Sequence, residues 1–125
     1  MAASLNILFA IVMLSLVGKG FCQCDLTNIK VSQVSTGKLI EGKAEYEVTV
    51  SNNCVCDQKS VTLNCVGFDT VEKVDPAIFR KVDGDDGHCI LKNGEIFHQN
   101  DFVKFNYAWD TSFDLTPARS RIGCS

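Results

Sequence analysis

Seven cysteines in a chain of 125 residues, two of them one residue apart at Cys54-Val55-Cys56, restrict the fold more than any other feature. A bond between Cys54 and Cys56 would close a strained ring, so each must reach a distant partner. A short chain crossed by such bridges is the pattern of a secreted domain, because cytosolic thiols are kept reduced. Each bridge restricts the unfolded chain and stabilises the fold by about 2–4 kcal/mol. Six cysteines can pair in fifteen ways, and the sequence selects none of them.

Parity also bears on where the mature chain begins. Residues 7–17 form an uncharged apolar run followed by Gly18-Lys19-Gly20. The run is shorter than the roughly 20 residues of a membrane span and suits the apolar region of a secretory signal. The competing reading is a short uncleaved anchor. Cleavage after Gly20 would retain seven cysteines; cleavage after Cys22 retains Cys24, Cys54, Cys56, Cys65, Cys89 and Cys124, which can pair completely. We therefore expect a signal peptide over 1–22 and a single cysteine-rich β domain over 23–125. The net charge of −3 becomes one unit more negative once Lys19 leaves. That balance favours a soluble mature chain and argues against docking on nucleic acid or an anionic membrane.

The mature sequence reads as all-β. Ala44, Tyr46, Val48 and Val50 alternate with Glu45, Glu47 and Thr49, and Ile29 and Val31 alternate with Lys30 and Ser32. Val61, Leu63 and Cys65 repeat the period, and Val103, Phe105, Tyr107 and Trp109 form the heaviest row. Alternation of this kind marks half-buried strands. Turns are expected at Thr36-Gly37, at the loop Ser51-Asn52-Asn53, and at Asn93-Gly94, where the dipeptide predicts a two-residue hairpin. A short helical turn is expected over Asp75–Phe79, with Pro76 at its first position. Together these predict a small disulfide-stapled antiparallel β-sandwich.

The search for chemistry is largely negative. The sequence has no G-x-S-x-G elbow, no H-E-x-x-H and no phosphate-binding loop. Its two histidines, His88 and His98, cannot build a three-histidine metal site. A zinc site drawn from Cys54, Cys56, Cys89 and His88 competes with disulfide pairing, which an oxidising compartment favours. No catalytic set, metal or cofactor is expected, and the chain does not read as an enzyme. The acidic stretch Asp83-Gly84-Asp85-Asp86-Gly87 places Gly87 and His88 where an EF-hand needs a ligand and its glycine. It reads as a solvated loop. Tyr107 and Trp109 belong with the core row, whereas Phe113 lies beyond the strand and is expected at the surface. Arg80-Lys81 is a dibasic pair in an expected loop, where a processing protease could cut.

Several segments keep a recognisable order. Ile29-Lys30-Val31-Ser32-Gln33, Thr36-Gly37 and Tyr46-Glu47-Val48-Thr49-Val50-Ser51-Asn52-Asn53-Cys54 come first. Leu63-Asn64-Cys65-Val66-Gly67-Phe68, Val74-Asp75-Pro76, Cys89, Asn93-Gly94 and Phe105-Asn106-Tyr107-Ala108 follow. From Cys24 to Cys124 this series resembles the plant tapetum determinant family of small secreted cysteine-rich proteins. The resemblance implies an extracellular, apoplastic signalling ligand recognised by a leucine-rich-repeat receptor kinase ectodomain and acting in cell differentiation in the anther. Loops on a rigid scaffold commonly carry recognition, so Asp83, Asp85, Asp86, His88 and Phe113, with Arg80 and Lys81, are the candidate contacts. The alternative is a module binding cell-wall glycan through Phe113 and any exposed face of Trp109.

Overall fold

The computed structural model describes residues 24–124. The expected leader, Cys22 included, lies outside the described residues. Seven strands follow one another: β1 (Ile29–Ile40), β2 (Lys43–Asn52), β3 (Asp57–Asn64), β4 (Phe79–Val82), β5 (Asp85–Leu91), β6 (Phe102–Trp109) and β7 (Thr116–Gly123). They form two antiparallel sheets, one ordered β1-β2-β6 and the other β4-β5-β3-β7. Short 3-10 turns at Leu26–Asn28 and Lys92–Gly94 are the only helical elements among the described residues.

The period-two rows face each other across the core. Val48, Val50 and Tyr107 are fully buried on one sheet, as are Val61, Leu63, Cys89 and Leu91 on the other. Aromatic rings join the layers: Phe79 stacks on Phe105 with centroids 4.3 Å apart, and Phe68 meets Phe79 and Tyr107 edge-on at 5.2 Å. Stacked and edge-to-face geometries of this kind add about 0.5–1.5 kcal/mol each beyond area burial. The expected sandwich is the observed fold.

Four local expectations are corrected. Thr36-Gly37 does not reverse the chain; β1 runs on with a bulge between Ser35 and Leu39, and the hairpin turns at Glu41-Gly42, with φ of 50° and 81°. Positive φ at both positions matches the twist of a two-residue hairpin. Asn93-Gly94 is no hairpin either. Lys92, Asn93 and Gly94 all have positive φ and lead the chain away from β5, so that the buried Phe97 pairs its backbone with Gln58 of β3 at 3.0 and 2.7 Å. The short helical turn expected over Asp75–Phe79 is present as a single turn, Asp75 accepting from Ile78 and Phe79 at 2.9 and 3.1 Å. It stops there because Phe79 must enter β4 opposite Leu91 and bury its ring. Asn52 is not in a loop: it ends β2 opposite Ile29 and is fully buried. Arg80-Lys81 lies in strand β4, paired with Ile90 and Cys89, not in a loop.

Candidate functional site

Two adjacent strands at the margin of the four-stranded sheet carry most of the residues singled out from the sequence. β4 and β5 form a tight hairpin whose turn is Asp83-Gly84, and Gly84 takes the positive φ of 74° that the reversal requires. Asp83, Gly84 and Asp86 are exposed, with Asp83 projecting freely into solvent. Asp85 folds back on the hairpin: its carboxylate meets His88 Nδ1 at 2.7 Å and accepts the Gly87 N–H at 3.0 Å. The His88 ring, then the Gly87 amide, holds Asp85 below the usual aspartate range. Arg80 donates to Asn93 at 3.2 Å and lies 3.8 Å from Asp83. The acidic stretch is thus a structured hairpin end, only its tip being a solvated loop.

The tip stands on a rigid base. Cys65, at the end of β3, is bonded to Cys89 of β5, and its N–H donates to the Gly87 carbonyl at 3.0 Å. Val66, next in the chain, is 78% exposed, and its Cγ2 lies 3.6 Å from where a side chain on Gly87 would begin. An exposed apolar residue beside an acidic tip offers a partner contact area from the apolar group and orientation from the charges. Sequence reading missed Val66; the signal was its place in Cys65-Val66-Gly67, a turn with φ of 74° at Gly67.

Phe113 does not belong to that patch. Expected at the surface, it is half-buried against Phe68 and Tyr107, with centroids 5.2 and 5.7 Å away. Its backbone is clamped as well: its N–H donates to the Tyr107 hydroxyl at 3.0 Å, and its carbonyl accepts from Gln33 Nε2 at 2.7 Å. The Tyr107 hydroxyl in turn donates to Gln33 Oε1 at 2.5 Å. Burial pushes the Tyr107 phenol up. Trp109 packs half-buried on the core, with the Lys43 ammonium 5.5 Å from its ring centre. Neither ring is a free platform for a sugar.

The opposite pole holds the other two bridges, Cys24–Cys54 and Cys56–Cys124. Their sulfurs crowd together, those of Cys24, Cys56 and Cys124 lying within 4.8 Å of one another. Bonded sulfurs are not thiolates and hold no metal. The zinc set considered from sequence does not assemble, since Cys54, Cys56 and Cys89 belong to three different bridges. Buried Asn52 ties this pole together. Its Nδ2 donates to the carbonyls of Cys56 and Phe97 at 2.9 and 3.0 Å, and its Oδ1 accepts from the Cys54 N–H at 3.0 Å and Gln58 Nε2 at 3.2 Å.

Glu45, on the outer face of β2, is only 5% exposed. The segment before β4 covers it: Val71 N–H donates to the Ala108 carbonyl, and the Ala108 N–H to Thr70 Oγ1, both at 3.0 Å. The Thr36 hydroxyl donates to Glu45 at 2.7 Å and holds that carboxyl below its ordinary range. Burial, reinforced by Glu45, pushes Glu72 upward. The two carboxyls are thus shifted in opposite directions, Glu45 toward its charged form and Glu72 toward its neutral one.

The pattern shared by tapetum determinant 1 C-terminal regions matches residues 25–125, every strand and bridge of the sandwich included except the first sulfur, Cys24. The chain belongs to the tapetum determinant 1 C-terminal family. Two curated relatives are similar. TPD1 protein homolog 1 of Arabidopsis thaliana is 32% identical over 97 residues, 76% of this chain and 53% of the relative. TPD1 protein homolog 1B of Oryza sativa subsp. japonica is 29% identical over 102 residues, 81% of this chain and 58% of the relative. The chain spans little more than half the length of either. No solved structure matches the chain. Among the described residues, no helix is long and apolar enough to cross a membrane. Membership of the tapetum determinant family supports a non-enzymatic role.

Proposed function

We propose that the protein is a secreted, non-catalytic signalling ligand, freed of residues 1–22 and read in the extracellular space by a leucine-rich-repeat receptor kinase ectodomain during cell differentiation in the anther. The observation that carries the reading is the family match across residues 25–125. What supports a contact at the β4–β5 hairpin is that Asp83 and Asp86, with Val66 beside them, are exposed next to a base bridged by Cys65–Cys89. A pre-shaped tip loses little conformational freedom on binding, which is how a small patch reaches useful affinity.

The test is binding of the purified, oxidised protein to a panel of receptor kinase ectodomains. One of them should bind it, and the double variant Asp83→Lys/Asp86→Lys should weaken that complex by at least about tenfold, since reversed rim charges misalign the encounter. Full binding by the charge-reversed protein removes the hairpin from the contact. Failure of every ectodomain removes the receptor reading itself.

A further inference from the structure

The outer face of the four-stranded sheet carries a feature that the ligand reading does not use. Between β3, β4, β5 and β7 lies a basin of about 350 Å³ walled by Ser60, Thr62, Val82, Ile90, Arg119 and Arg121. That is the size of a small-molecule site, which runs from about 300 to 1,000 Å³. Val82 and Ile90 give it an aliphatic side. Thr62 is 7% exposed, and its hydroxyl has no hydrogen-bond partner. A buried hydroxyl left unpaired costs free energy that a ligand with its own hydroxyls can recover.

Charge is the third element. The whole chain is acidic, with a net charge of −3, yet β7 brings two guanidiniums to this basin. Lys59 sits opposite Arg121 in the strand pairing, and Arg119 opposite Thr62. None of Lys59, Arg119 and Arg121 forms an ion pair among the described residues; Asp57 is engaged by His98 at 2.9 Å, and Asp85, although it feels the Arg119 charge, by His88 at 2.7 Å. Arg119 and Arg121 are exposed and free to turn inward. A guanidinium fork matches a carboxylate in two parallel hydrogen bonds.

We propose that this basin binds the uronate residues of an acidic polysaccharide. One sugar acid supplies every group the basin asks for. Its carboxylate pairs with Arg119 or Arg121, a ring hydroxyl answers Thr62, and the C–H face of the ring lies on Val82 and Ile90. An acidic peptide offers the carboxylate but neither the hydroxyls nor the flat apolar face. The site is separate from Trp109 and Phe113, the rings that first suggested a glycan.

The test is calorimetric titration of the full oxidised protein with a uronate hexamer, the matching neutral hexamer and hexaglutamate, each at low and at physiological salt. The expected result is salt-sensitive binding of the uronate alone, weakened at least about tenfold by Arg119→Gln/Arg121→Gln. Thr62→Val, which keeps side-chain shape and removes the orphan hydroxyl, should weaken uronate binding about threefold or more without lowering the melting temperature. Three results would overturn the proposal: no uronate binding by the wild type, equal binding of hexaglutamate, or uronate binding unchanged in the double arginine variant. The receptor-ectodomain panel is independent of all three.

Discussion

The two ends of the sandwich are stiffened by different means. At one, two disulfides lie side by side around Asn52, whose amide joins β2, the Cys54–Cys56 turn, β3 and the Phe97 segment through four hydrogen bonds. At the other, a single disulfide, Cys65–Cys89, holds a hairpin whose tip is open to solvent. The polar side chains at the centre of the first end, Asn52 and Gln58, are fully buried and hydrogen-bonded. At the second, polar groups are exposed and paired only locally. We expect stability to be concentrated at the first end, and both ends expose an apolar side chain, Val55 at 66% and Val66 at 78%. Division of this kind is general: recognition elements come from the less committed parts of a domain.

Asn52→Ala should break the comparison most severely. It strands buried donors and acceptors that cost about 1–3 kcal/mol each when unsatisfied. We expect a loss of about 3–5 kcal/mol, read as a fall in melting temperature of at least about 12 °C. A variant that melts within a few degrees of wild type would show that the bridges alone hold that end.

Disulfide removal comes next. Cys56→Ser/Cys124→Ser and Cys65→Ser/Cys89→Ser should each cost about 2–4 kcal/mol in chemical denaturation. The first should cost more, because its cysteines are 68 residues apart in sequence against 24 for the second. The reverse order would assign the stapling to the hairpin end.

A nick after Lys81 tests the same network topologically. Cys89 is bonded to Cys65 and Cys124 to Cys56, so both cysteines beyond the nick are tied to residues before it. Non-reducing mass spectrometry of nicked protein should show one species heavier by a water, and reduction should release the fragment. Release without reduction would refute the pairing. Because Lys81 is hydrogen-bonded in β4, cleavage should also be slow until β4 detaches from β5.

The smallest effects concern protons. Asp85 has its pKa depressed on folding, so its contribution is complete above the ordinary aspartate value and is lost as pH falls through the depressed one. His88→Gln should therefore lower stability slightly at neutral pH and hardly at all in acid, which flattens the acid limb of the profile. Glu72 has the opposite sign. Its raised pKa means the folded state holds a proton that the unfolded state gives up, so stability falls as pH rises above the ordinary glutamate value. Glu72→Gln, which carries no charge to bury, should raise the melting temperature slightly at neutral pH and leave it unchanged in acid. A destabilised Glu72→Gln at neutral pH would refute the raised pKa of Glu72.

Much of this architecture was readable in advance where the signal is local. Val48, Val50, Val61 and Leu63 announce their inward faces by alternation and are fully buried. Glu45 shows where alternation fails: its outward position is correct, but the segment bearing Thr70 and Val71 covers it. No pattern around residue 45 reveals a strap more than twenty positions away. Arg80, Lys81 and His88 read from the sequence as loop residues. Pairing of Arg80 with Ile90 and of Lys81 with Cys89 makes them members of strands, and His88 of β5 meets Asp85. Phe113 looked like a surface ring because nothing beside it is periodic, and Tyr107 and Gln33 decide otherwise.

The sequence by itself determined an all-β sandwich with its inward rows, and it required Cys54 and Cys56 to part company, since side-chain period and ring strain act between neighbours. Tertiary structure alone decided which cysteines pair, which of several turn dipeptides reverses the chain, and that Asn52, Thr62 and Glu45 are buried. Those outcomes depend on how elements far apart in the chain are brought together. The free energy of a buried amide or a bridged sulfur is set by groups that come near it only once both sheets have closed.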